Sequence, residues 1–327
     1  MSMNRVVELT AFGEPDVMQV VSREIPAPLA GEVQVRHTAI GFNFIDIYQR
    51  KGIYPLPLPT GLGFEAAGIV EAVGEGVTGL SEGDRVAYMN AGVGAYSERR
   101  NVAADKLLKL PDTVSDEAAA TVLFKGMTAQ YLLRRTYEVK AGDLLLVHSA
   151  AGGVGQILTR WATALGARVI GTTGSPEKRD VALAAGCEAV IDLRDPDWPS
   201  AFLTATGGEK ARVAYDAVGK DTLLQTLDCV APFGLVVSYG AASGKAPAID
   251  PDLLNKKGCL FFTRPSVFPH NSDPDTFRAN AADLFDAIAK GHVGVDIGAR
   301  FPLEDIAGVH RAAEARSVKG AILIQPA

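Results

Sequence analysis

Cysteine is scarce in this chain, with only Cys187, Cys229 and Cys259 among 327 residues. They lie far apart, which excludes a disulfide framework and any C-x-x-C redox or metal motif. Small thiols, buried or half-buried, are the expected role. Histidine is scarce too. His37, His148, His270, His292 and His310 show no paired ligand spacing. Zinc needs three or four donors converging on one point, so no metal site is expected. No apolar run approaches the ~20 residues that span a bilayer. An excess of positive charge is also missing, and the net charge of −6 disfavours a nucleic-acid or anionic-membrane partner. The opening residues, Met1-Ser2-Met3-Asn4-Arg5, lead into a predicted strand without the apolar core of a secretory signal. A cytoplasmic protein is therefore expected. Internal repeats and low-complexity segments are absent as well.

Against these absences stands one glycine-rich run, Leu144-Leu145-Leu146-Val147-His148-Ser149-Ala150-Ala151-Gly152-Gly153-Val154-Gly155. It reads as a buried strand, a tight turn and the approach to a helix over residues 156–165. Such a turn suits a dinucleotide pyrophosphate. Gly152 lets phosphate approach the backbone, and Gly155 lets the helix pack close to the strand. The amides that open the helix would face the phosphate with the positive end of the helix dipole. Ala150 stands where the first glycine of the usual G-x-G-x-x-G is expected. Glycine clusters also mark turns without a ligand; the flanking strand and helix favour the cofactor.

The chain is long enough for two domains with substantial cores. Its first third is rich in short strands and turns. Residues 32–40 alternate polar and apolar side chains, as a half-buried strand does, and residues 68–74 and 84–88 are two further short strands. This pattern predicts a barrel-like β domain. His37 falls in the alternating strand, as a surface or internally satisfied histidine. Helix signals begin near Ser115, with a second helix expected over 125–135. Strands over 144–148, 168–171, 189–192, 213–217 and 234–238 then alternate with helices, which predicts a doubly wound parallel sheet. The tail carries helices near 276–290 and 303–317 and a final strand over 321–324.

A missing acid selects the cofactor. An Asp or Glu ~20 residues beyond the glycines would bind the ribose hydroxyl of NAD. Counting from Gly152 reaches Thr172, in the loop Gly171-Thr172-Thr173-Gly174-Ser175-Pro176-Glu177-Lys178-Arg179. Hydroxyls and basic residues occupy that place. Ser175 and Lys178 supply the donors and positive charge that a 2′-phosphate needs. Cations at a helix start are unfavourable unless an anion offsets them, so NADPH is expected over NADH.

Several separated motifs now converge. The runs Gly41-Phe42-Asn43-Phe44-Ile45-Asp46-Ile47-Tyr48, Gly61-Leu62-Gly63-Phe64-Glu65-Ala66-Ala67-Gly68 and Lys125-Gly126-Met127-Thr128, with Ala150 to Gly155, resemble the zinc-independent, ζ-crystallin-like quinone oxidoreductases of the medium-chain dehydrogenase/reductase superfamily. The resemblance continues through Thr263-Arg264-Pro265-Ser266 and the tail. Zinc-dependent relatives carry a cysteine at the place of Asn43 and a histidine at the place of Phe64. The four-cysteine lobe is also missing, since no cysteine precedes Cys187.

The resemblance implies a GroES-like β-barrel catalytic domain over 1–124, completed by 266–327. A Rossmann domain over 125–265 would be inserted into it, with the active site in the cleft. It implies a homodimer joined by strands near Cys259 to Ser266, although Leu260-Phe261-Phe262 would equally suit a strand buried within one chain. Asn43, Asp46 and Tyr48 would lie near the nicotinamide. Thr128, Ala151, Gly152, Gly153, Val154 and Gly155 would hold the dinucleotide. Ser175, Lys178 and Arg316 would face the adenosine phosphate. Val218, Gly219, Ser238, Gly240, Phe262 and Arg264 would line the rest. Leu193 stands where some relatives have a tyrosine. Asn43 would otherwise be a turn residue and Asp46 a helix cap.

The expected activity is reduction of a quinone by NADPH, as hydride or as electrons, without a metal. The cofactor carries the reducing equivalents, and the protein orients the acceptor and limits water. Tyr48 is the candidate hydrogen-bond donor to the quinone oxygen. An enoyl or enal reductase of the same superfamily is the nearest rival, with Tyr48 as proton donor. An NADPH-binding structural or RNA-binding protein is a rival of another class, disfavoured by the acidic balance.

Overall fold

The computed structural model describes residues 2–294, 296–315 and 317–326. The chain divides into two compact units. The first comprises Met1–Phe124, Asp273–Ala289 and Gly294–Ala327, and the second Lys125–Ser272 with Lys290–Val293. The boundary after Ser272 falls later than the expected 265. The short helix Val267–His270 goes with the second unit, where the His270 ring stacks on Tyr131 at 4.6 Å and 7°.

In the first unit a seven-stranded sheet is built around Glu32–Gly41. Val33, Val35, His37 and Ala39 of that strand face inward, as its alternation requires. Ala66–Val73 and Arg99–Ala103 flank it antiparallel along most of its length. Its end pairs with the tail strand Ala321–Gln325, Leu323 opposite Gly41. The chain's last strand thus completes the sheet begun by its first third. His37 is buried but satisfied, with Nδ1 at 2.7 Å from the Ser97 carbonyl and Nε2 at 2.9 Å from the Tyr88 hydroxyl. Burial pulls its pKa down to about 4, so the ring is neutral.

The second unit is a six-stranded parallel sheet. Its order is Ala189–Asp192, Arg168–Thr173, Leu144–Val147, Ala211–Asp216, Val230–Ser238, Phe261–Thr263. In the unit's own sequence order this is 3-2-1-4-5-6, the doubly wound dinucleotide-binding arrangement. Leu144–Val147 is fully buried, as a central strand covered on both faces must be.

Two helices differ from expectation. A single helix, Asp116–Tyr131, replaces the expected pair and runs on into a π-helical turn, Leu132–Thr136. Packing of Ala119, Ala120, Leu123, Met127 and Ala129 carries the helix through Gly126. The helix after the glycine turn is Gly153–Ala164, so it opens three residues earlier than expected. Cys187 and Cys229 are buried free thiols, and burial pushes their pKa up to about 11 and about 12. Cys259 is exposed, contrary to expectation, because it sits in the turn before the edge strand Phe261–Thr263. Among the described residues no helix is long and apolar enough to cross a membrane.

Candidate active site

The glycine turn sits at the carboxyl end of the central strand, where ligands bind in open α/β sheets. Ser149 is held at φ 55° and reverses the chain, and its carbonyl accepts from the Gly152 amide at 2.8 Å. Gly152 then caps the helix, so Gly153, Val154 and Gly155 form its first turn. Their amides belong to the group that a helix leaves without internal acceptors. Gly152 and Gly153 are exposed, and Ala151 and Val154 are half-buried. Gly155 is buried. A Cβ there would collide with the Ser149 carbonyl oxygen and lie 2.9 Å from Ala150 Cα. Ala150, in the place of a glycine, is fully buried. Its methyl fits because Gly171 opposite has none: a Cβ on Gly171 would lie 2.7 Å from the Ala150 methyl and 2.6 Å from Cys187 Sγ. The departure from the usual motif is thus matched by a glycine on the neighbouring strand.

Position 172, where an NAD-type acid would stand, turns inward. Thr172 is fully buried, with its hydroxyl 2.9 Å from His148 Nδ1. The loop beyond presents half-buried Ser175 and exposed Lys178. Arg179 is tied back to the Val190 carbonyl at 2.7 Å. The nearest strand-end acid on the neighbouring strand, Asp192, is held by Arg194 through its backbone and guanidinium, and these bonds pull its pKa down to about 2. The region therefore presents a hydroxyl and a lysine. Arg316 lies outside the described residues.

At the fourth strand's end, buried Asp216 accepts from the amides of Val218 and Gly219 at 2.7 and 2.9 Å. Gly219 adopts φ 88°, which favours glycine. Arg264 joins two other expected residues, since its Nη1 donates to the Ser238 carbonyl and hydroxyl and to the Gly240 carbonyl at 2.9–3.1 Å. Phe262, two residues before it in sequence, is on the edge strand. Thr128 lies buried on Asp116–Tyr131.

The first unit holds a buried polar chain around Asn43, which precedes the helix Phe44–Arg50. Asn43 Nδ2 donates to Glu65 Oε1 at 2.7 Å, and the Phe124 amide donates to Glu65 Oε2 at 2.6 Å. The Asn43 amide and the Tyr96 hydroxyl donate to Asp46 Oδ2 at 2.8 and 2.7 Å. Both carboxylates are fully buried. Burial first, then the two negative charges, raises the Tyr96 hydroxyl far above its usual pKa, so it stays protonated and donates. Asp46 is thus buried and holds the helix start. Tyr48, one turn along, is half-buried, its ring edge-on to Tyr54 at 5.6 Å. Phe64 is buried with its ring 6.2 Å from Phe124. Among the described residues no group of three or more His, Cys, Asp or Glu could hold a metal ion. Sequence reading gave no role to Glu65 or Tyr96. A carboxylate inside the otherwise apolar run Leu62-Gly63-Phe64-Glu65-Ala66-Ala67 was the signal for the first.

A chain that combines a parallel 3-2-1-4-5-6 sheet carrying a glycine cradle with a separate β unit holding a capped helix has the make-up of a nucleotide-dependent oxidoreductase of the alcohol dehydrogenase type. The family comparisons agree. A family model described as alcohol dehydrogenase GroES-like domain matches residues 29–112, and one described as zinc-binding dehydrogenase matches residues 153–285. The second match does not include the positions of Asn43 and Phe64. A quinone oxidoreductase of Pseudomonas aeruginosa is 45% identical over 325 residues, 99% of this chain and 100% of that protein. A crystal structure of Escherichia coli quinone oxidoreductase complexed with NADPH has a TM-score of 0.93 at 44% identity, covering 98% of this chain and 100% of the other. A 2-haloacrylate reductase of a Burkholderia species is 41% identical over 322 residues, 96% of each chain. The chain belongs to the quinone oxidoreductases of the medium-chain dehydrogenase/reductase superfamily.

Proposed function

We propose that this chain is an NADPH-dependent quinone reductase that works without a metal. The observation that carries the reading is the full-length match to quinone oxidoreductases, one of them seen with NADPH. The residues fit that cofactor. Gly155 keeps the helix close to the strand, and exposed Gly152 and Gly153 leave room for phosphate. Ala151 to Val154 hold the pyrophosphate, while Ser175, Lys178 and Arg316 receive the adenosine phosphate. Thr128, Val218, Gly219, Ser238, Gly240, Phe262 and Arg264 line the remaining length. Bound NADPH supplies the hydride or electrons. Asn43 and Tyr48 orient the acceptor, and Asp46 acts on it only through Asn43 and the helix cap. Aromatisation drives quinone reduction, and water can protonate the product, so no buried acid is required.

Tyr48→Phe tests this. Loss of one hydrogen bond to the acceptor lowers kcat about tenfold, with NADPH affinity within about twofold of wild type. An unchanged kcat removes Tyr48 from the reaction. The same assay, run with NADPH and NADH against a quinone panel and a panel of enals and 2-haloacrylates, tests the whole reading. The similarity to a 2-haloacrylate reductase favours activated alkenes as the second reading, with Tyr48 giving the proton to the α carbon. A higher kcat/KM on alkenes than on quinones would select it, and preference for NADH would remove the Lys178 argument.

We further infer a cytoplasmic homodimer. Free thiols at Cys187, Cys229 and Cys259 suit a reducing compartment. Phe261–Thr263 is an edge strand, with Phe261 61% and Phe262 36% exposed, the kind of edge that a second copy covers. Light scattering on a sizing column is expected to give twice the chain mass for wild type and a shift toward monomer for Phe261→Lys. A monomeric wild type would overturn the dimer.

A further inference from the structure

The residue that opens the glycine turn, just past the central strand, has a role beyond the turn itself. His148 is fully buried, and each ring nitrogen has a threonine hydroxyl at 2.9 Å: Thr172 at Nδ1 and Thr226 at Nε2. The tautomer follows from proton counting. Thr226 spends its one hydroxyl proton on the Thr222 carbonyl at 2.9 Å, so toward His148 it only accepts. Nε2 therefore carries the hydrogen. Burial holds the pKa of the ring below 6.5, so the ring is neutral and Nδ1 accepts from Thr172. Trp198 covers the ring edge-on at 5.1 Å.

This ordered chain links four of the segments assigned to the dinucleotide: the glycine turn, the loop after the second strand, residues 216–219 and Gly240. Thr172 is the last but one residue of the second strand, ahead of Ser175 and Lys178, and its carbonyl accepts from the Ala150 amide at 3.1 Å. On the other side, Thr226 lies on the helix Leu223–Cys229 and Thr222 is its N-cap. The Thr222 hydroxyl donates to Asp216 at 2.8 and 3.0 Å, the carboxylate that also holds the Val218 and Gly219 amides. The Asp216 carbonyl accepts from Tyr239 and Gly240 at 2.8 and 3.3 Å. We propose that His148 is a positioning residue for the cofactor, one ring that fixes the adenosine-phosphate loop relative to the glycine turn and the 216–219 loop. The proposal rests on the reading of this unit as an NADPH site.

Three variants test it, with nucleotide affinity read by quenching of intrinsic fluorescence and by calorimetry. Thr172→Val removes the donor on the adenosine-phosphate side. It is expected to weaken NADPH about five- to tenfold and NADH less than about threefold. Thr226→Val acts on the 216–219 side and weakens both nucleotides alike. His148→Leu weakens both, with NADPH losing more; His148→Gln, which keeps one donor and one acceptor, recovers part of the loss. In all of them kcat at saturating NADPH stays within about twofold, because no group touching the acceptor has changed. A purely structural histidine would lower the melting temperature and leave the NADPH-to-NADH affinity ratio at the wild-type value, and that result overturns the proposal. Should His148→Leu fail to fold, the two threonine variants, which keep the ring, decide. A wild type that binds NADH and not NADPH defeats the cofactor reading instead. The coupling is then read from NADH, which Thr226→Val must still weaken.

Discussion

Glu314→Ala is expected to destabilise the first unit by about 3–5 kcal/mol, because it leaves a buried guanidinium without its counter-charge. The Arg50 side chain is 0% exposed and Glu314 only 24%. Arg50 Nη1 and Nη2 donate to both carboxylate oxygens at 3.0 Å, Nη1 lies 3.4 Å from His310 Nδ1, and Lys51 Nζ sits 2.5 Å from Oε1. His310 offers no counter-charge: burial and then Arg50 pull its pKa down to about 3, so the ring beside the guanidinium is neutral. Arg50 closes the helix Phe44–Arg50 that starts at Asn43, and Glu314 closes the tail helix Ile306–Glu314. The pair therefore ties the tail to the helix bearing Tyr48. Urea denaturation measures the loss, and kcat should fall with it. The double variant Arg50→Leu with Glu314→Leu, which removes both charges, should recover much of the stability. A single variant within about 1 kcal/mol of wild type would show that the guanidinium finds other support.

The same pair predicts an acid response. Burial alone would raise the Glu314 pKa, but the hydrogen bonds from Lys51 and Arg50 outweigh it and hold the carboxyl below its usual 4.5. A depressed folded-state pKa contributes stability that is present above the unfolded value and lost as pH falls through the folded one. Wild type should lose stability more steeply than Glu314→Gln below about pH 4.5.

Local signals in the sequence reported local structure well. The apolar run 144–147 became a central parallel strand, and the alternation over 32–40 became the strand whose odd residues face the core. Helix starts were read less well. Glycine is a poor helix former, so the first helical turn Gly153-Val154-Gly155 looked like loop. The strand Ile297–Pro302 escaped notice because it is only half-buried and contains Gly298 and Pro302. The site divides the same way. The cradle glycines, Asn43 and Tyr48 carry motif signals. The partners that fix them come from far along the chain, as with Glu65 to Asn43, Tyr96 to Asp46 and Thr226 to His148. No local pattern encodes such pairs, and only the fold brings them together.

The glycines of the cradle should not respond alike to a methyl group. At Gly155 the new Cβ meets backbone, the Ser149 carbonyl oxygen and Ala150 Cα. Ser149 is already in the left-handed region, so the turn has little freedom to yield. The helix Gly153–Ala164 must then back away from the strand, and its first amides move with it. Gly155→Ala is expected to cost about 3 kcal/mol of stability by overpacking. It should also weaken NADPH at least about tenfold, the loss of one charge-assisted hydrogen bond to phosphate. At Gly153 the nearest atoms are the Cδ and Cε of Lys125, at 3.1 and 3.3 Å, the far end of a flexible side chain. Gly153→Ala should therefore fold with stability within about 0.5 kcal/mol of wild type. At Gly152 a Cβ lies 3.1 Å from the Ser149 carbonyl, so that variant should fall between the two. Thermal unfolding with and without NADPH ranks the three. Equal effects at 153 and 155 would mean that bulk against phosphate, rather than the seam between strand and helix, makes glycine necessary at 155.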